Sequence, residues 1–139
     1  MKMSVISELI RTEADGTISF GNYELDQKSK LQDFEHEGDL YKVKTYKEIT
    51  KLERNGMFVY ESVPGTAVSH LSVTDQVMSF EVEGPEDVQI TVELEADTVY
   101  RTFINGNTIG SMKANLGGKL MLSVELNPGE NVGVRIEKA

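Results

Sequence analysis

The chain has 139 residues, 39% apolar and 27% charged, with 14 Lys and Arg against 23 Asp and Glu for a formal net charge of −9. Such a length fits one domain with a sizeable core, and the composition excludes disordered, collagen-like, coiled-coil and disulfide-framework classes. No apolar stretch approaches the ~18 residues of a membrane-spanning helix, and zero cysteines exclude thiolate catalysis and Cys-ligated zinc.

The opening Met1-Lys2-Met3-Ser4-Val5-Ile6-Ser7-Glu8 meets a carboxylate at once. Without an apolar h-region it predicts no signal peptide, hence a cytoplasmic protein. The diffuse acidic charge disfavours nucleic acid and anionic membranes as partners. Segment 41–54 departs from it, with five basic and two acidic residues.

The stretch 4–12 reads as a strand near 5–12, although apolar Val5, Ile6, Leu9 and Ile10 also fit a helical turn. From there the pattern is alternation with period two, punctuated by Gly, Asn and Asp. Strands are predicted near 17–25, 30–36, 40–47, 48–53, 57–62, 66–73, 77–83, 87–94, 98–104, 108–114 and 119–126, with a last one through Val132, Val134 and Ile136. Val88, Ile90, Val92 and Leu94 face one way and Gln89, Thr91 and Glu93 the other. Asn55-Gly56 and Asn105-Gly106 are turns of the kind that need positive φ. Loops this short make antiparallel neighbours. The fold expected is all-β, an antiparallel β-sandwich of jelly-roll or Greek-key type. One domain spans 1–139, with Gly84-Pro85-Glu86 the only candidate boundary.

Few motifs carry chemistry. Asp33-Phe34-Glu35-His36-Glu37-Gly38-Asp39 has the oxygen spacing of a calcium loop, making Asp33, Glu35, Glu37 and Asp39 candidate metal ligands. Lys44 stands where the bidentate Glu belongs, and a hairpin with Asp33, Glu35 and Glu37 on its wet face explains the cluster otherwise. His36 and His70 fall in separate hairpins and read as hydrogen-bonded strand histidines. No G-x-S-x-G occurs, and Gly117-Gly118-Lys119 fails the phosphate-loop pattern. Glu81 with Glu83, and Glu93 with Glu95, alternate as a solvated face would. The basic strand offers the best binding candidates: Tyr41, Lys42, Lys44 and Tyr46, with Tyr60 nearby in sequence. Glu35 and Glu37 on the paired strand are expected to neutralise Lys42 and Lys44. Segment 57–71 has a single charge and reads as core strands or a subunit interface.

Ile18-Ser19-Phe20-Gly21-Asn22-Tyr23-Glu24-Leu25, the run from Tyr41 to Glu53, Asn55-Gly56-Met57-Phe58 and Glu61-Ser62-Val63-Pro64-Gly65-Thr66, with the opening around Ser4, carry a resemblance over nearly the whole chain. The chain resembles short all-β proteins of anaerobic Gram-positive bacteria, some of which carry the label endosialidase. Known sialidases are propellers of several hundred residues, with an Arg triad and Asp-box repeats ending in Trp. This chain has no Trp and only Arg11, Arg54, Arg101 and Arg135, so no catalytic residue carries over. Residues 88–137 also resemble the small β-sandwich modules appended to polysaccharide-degrading enzymes.

The function expected is a non-enzymatic interaction or structural domain that self-associates. The alternative is a carbohydrate-binding or carbohydrate-active accessory protein, and a third reading is a sensor for an anionic metabolite. No cofactor is implied. The expected partners are a second copy of the chain, or a glycan or small anionic ligand.

Overall fold

Two-residue turns set the frame. At Glu37-Gly38, Asn55-Gly56 and Asn105-Gly106 both residues have positive φ, between 50° and 88°, the combination that suits the right-handed twist of a hairpin. The computed structural model describes residues 5–139. Met1–Ser4, including the Ser4 of the resemblance, lie outside the described residues.

The first half of the chain forms β1 (Ile10–Thr12), β2 (Ile18–Phe20), β3 (Ser29–His36), β4 (Asp39–Tyr46), β5 (Ile49–Arg54), β6 (Met57–Val63) and β7 (Ala67–Val73). The second half forms β8 (Val77–Glu83), β9 (Val88–Glu93), β10 (Val99–Ile104), β11 (Asn107–Lys113), β12 (Lys119–Val124) and β13 (Val132–Lys138). All pairings are antiparallel. One sheet has seven strands in the order β1-β2-β7-β8-β13-β10-β11; the other has six, β12-β9-β6-β5-β4-β3. The two pack as a sandwich, as expected. β3 to β6 run as a meander, whereas β13 returns between β8 and β10. Pairs β6–β9 and β8–β13 join strands from either side of Gly84-Pro85-Glu86.

The start differs from its expectation. Residues 5–9 form neither strand nor helix. Leu9, at φ 74°, closes a turn by donating its N–H to the Ile6 carbonyl at 2.9 Å, and Ile6 is buried. The second strand is also shorter than 17–25. After Phe20 the chain leaves the sheet, and the Asn22 N–H is held by Thr45 Oγ1 at 2.9 Å.

The core lies between the sheets. Val88, Ile90 and Val92, Leu120, Leu122 and Val124, and Val132, Val134 and Ile136 are all buried, as their alternation predicted. Each buried side chain of this kind contributes about 1.5–3 kcal/mol. Tyr60 of the six-stranded sheet meets Phe20 and Phe80 of the seven-stranded sheet edge-on, with ring centroids at 5.3 and 5.6 Å. Tyr60, Ala67, Val68 and Leu71 of the weakly charged segment 57–71 are buried within the single chain, whereas Met57 and Val63 are exposed.

Candidate functional site

The register of the β3–β4 hairpin decides which charges meet. Its two-residue turn closes on the pair His36–Asp39, so Glu35 lies opposite Leu40 and Glu37 sits in the turn. A bulge between Leu31 and Phe34, with Asp33 at φ 59°, adds one residue to β3. Beyond it Lys30 lies directly opposite Lys44. On the other side Lys44 lies opposite Lys51 of β5. The expected neutralisation of Lys42 and Lys44 by Glu35 and Glu37 is therefore corrected. The tight turn places those carboxylates too near the hairpin tip to stand opposite the lysines.

Lys30, Lys44 and Lys51 form a row across three strands, at the ~4.8 Å spacing of neighbouring strands. Lys42 is two residues from Lys44 on the same face and lies opposite Glu53. Lys51 approaches Glu53 at 3.6 Å. Among the described residues, Lys28, Lys30, Lys42 and Lys44 make no ion pair. Partial burial, and then the ammonium groups of Lys28, Lys30, Lys42 and Lys51, hold the Lys44 pKa below the ordinary lysine value. Two aromatic rings flank the row. Lys28 Nζ lies 5.7 Å from the Tyr46 ring centroid, and the Phe58 ring has Lys119 Nζ at 4.7 Å and Lys51 Nζ at 5.7 Å. Burial, and then Glu48, raises the Tyr46 phenol pKa.

Of the five binding candidates, Lys42, Lys44 and Tyr46 share this outer face. Tyr41 and Tyr60 do not. Tyr41 alternates inward with Val43 and Thr45, all buried. Tyr60 is wholly buried, its hydroxyl 2.9 Å from Thr66 Oγ1, and burial raises its pKa strongly. The period of two already separates Tyr41 from Lys42 and Lys44. Lys28 and Lys30 escaped notice because they precede the basic stretch in sequence; only the pairing of β3 with β4 brings them alongside.

The remaining candidates do not converge. Asp33 and Glu35 are exposed on β3, Glu37 Oε2 lies 3.8 Å from His36 Nε2, and Asp39 Oδ1 accepts from Asn55 Nδ2 at 2.9 Å. Among the described residues no three His, Asp or Glu side chains are placed to hold a metal ion. His36 Nδ1 is 3.0 Å from Thr12 Oγ1. His70 Nδ1 lies 3.2 Å from both Asp15 Oδ2 and Thr17 Oγ1. That is an Asp–His pair in which the ring's hydroxyl partner shares Nδ1 with the carboxylate, unlike a triad, where the nucleophile meets the opposite nitrogen.

No protein-family model, curated protein or solved structure matches the chain.

Proposed function

We propose that this chain is a binding module, not a catalyst, and that the lysine-bearing outer face of its six-stranded sheet holds an acidic glycan. One observation carries the reading: Lys44 stands directly between Lys30 and Lys51 and, among the described residues, makes no ion pair. Like charges opposite one another cost stability, and this chain holds them together while carrying a net charge of −9. An anionic ligand turns that repulsion into attraction. The Tyr46 ring beside the row offers an apolar surface with a polar tip, which suits the C–H face of a sugar.

Isothermal titration calorimetry with polygalacturonate, and with dextran as the neutral control, tests the proposal. We expect heat of binding with polygalacturonate alone, weakening as salt rises. Lys44→Glu abolishes it, and Tyr46→Ala weakens it several-fold. Absence of binding, or equal binding by Lys44→Glu, defeats the proposal.

A further inference from the structure

A second site lies at the hairpin-turn end of the sandwich, where a cleft of about 640 Å³ opens between the sheets. That volume is in the range of small-molecule pockets. Leu71 and Met78 contribute its apolar wall, and Asp39, Tyr41 and Arg54 its polar groups.

The polar groups are held from behind. Asn55 accepts from the Leu40 N–H at 2.9 Å and donates to Asp39 at 2.9 Å, fixing one oxygen of that carboxylate. Tyr41 packs edge-on against His36, centroids 5.9 Å apart. Burial raises the Tyr41 pKa, and the neighbouring Arg54 guanidinium opposes the rise. Arg54 lies directly opposite Tyr41 in the β4–β5 ladder, and among the described residues it makes no ion pair.

A guanidinium with no ion pair among the described residues and a hydrogen-bonded carboxylate thus line one cleft together with an apolar wall. We infer that the cleft binds a small zwitterion with an apolar side chain, of the chemical class of a free aliphatic α-amino acid. Arg54 takes the carboxylate as a planar two-pronged donor, Asp39 takes the ammonium, and the side chain lies against Leu71 and Met78. A purely anionic ligand suits the cleft poorly, because Asp15, Glu37 and Asp39 all line it. This site stands on different residues from the lysine face and does not rest on the glycan reading.

The test is calorimetric titration of the intact chain with L-leucine, N-acetyl-L-leucine and L-leucinamide. The last two each lack one of the charges. L-leucine is expected to bind, and both derivatives at least tenfold more weakly. Arg54→Ala is expected to weaken L-leucine binding at least tenfold, since a charge-assisted hydrogen bond is worth about 1.5–3 kcal/mol and about 1.4 kcal/mol is tenfold. Glu125→Gln, an exposed position outside the cleft, is expected to leave it unchanged. Both side chains are solvent-accessible, and the melting temperature of each variant checks that it is folded. No binding of L-leucine, equal binding of the N-acetyl derivative, or unchanged affinity in folded Arg54→Ala overturns the inference.

Discussion

Lys44 sits where stability and binding pull in opposite directions. The folded chain lowers its pKa, so the folded state sheds a proton at lower pH than the unfolded state does. The lysine repulsion is therefore present below the folded pKa, and stability rises as pH climbs from there toward the ordinary lysine value. Lys44→Gln removes the repulsion at neutral pH. We expect it to raise the melting temperature slightly, by the equivalent of about 0.2–1 kcal/mol, with the gain shrinking in high salt. Scanning calorimetry at two ionic strengths measures this; a salt-independent loss of stability contradicts the repulsion.

At the level of elements, the lysine face depends on how loops anchor β4 and β5. The β6–β7 connection passes so close to the end of β4 that a Cβ on Gly65 would stand 2.0 Å from the Tyr46 carbonyl oxygen. The Gly65 N–H also bonds the Lys47 carbonyl at 3.0 Å. Beneath it, Thr45, Thr50, Ser62 and Thr66 share buried hydroxyl bonds of 2.8–3.0 Å, which tie that connection to both strands. Gly65→Ala forces backbone apart from backbone, and we expect it to cost about 3 kcal/mol or more. Gly56→Ala meets nothing within 4 Å and strains only a positive φ, a cost of about 1–2 kcal/mol. Urea unfolding of the two variants side by side checks the order.

For the whole molecule, one buried core cluster draws on eleven of the described strands, with Phe34 of β3 and Met112 of β11 packed against it, and strands on either side of Gly84-Pro85-Glu86 pair in both sheets. Unfolding is expected to be one cooperative transition by circular dichroism and calorimetry. Two separated transitions contradict a shared core. Its acid limb also has named contributors. Glu13 is lowered first by its hydrogen bond from Ser19, Asp15 by Thr17 and Glu95 by Lys138. Carboxylates with lowered folded pKa values add stability that is present above their unfolded values and is lost as pH falls through the folded ones. The melting temperature is therefore expected to decline below about pH 4.5, and Ser19→Ala to flatten that decline.

Alternation and turn chemistry are local properties, so the sequence by itself determined the β class, most of the hairpins and the buried side of regularly alternating strands such as β9, β12 and β13. Val88, Ile90 and Val92 declare their face without reference to any partner, and Asn-Gly declares a turn for the same reason. Tertiary structure decided what lies beside what. The return of β13 between β8 and β10 is a non-local pairing that no short window contains. Whether Lys44 meets a carboxylate or another lysine hangs on a two-residue turn and a single extra residue in β3. The cleft at Arg54 exists because two sheets, distant in sequence, end together. Periodicity reports the direction of a side chain, while a site requires the register between strands, and register is set by the packing of the whole chain.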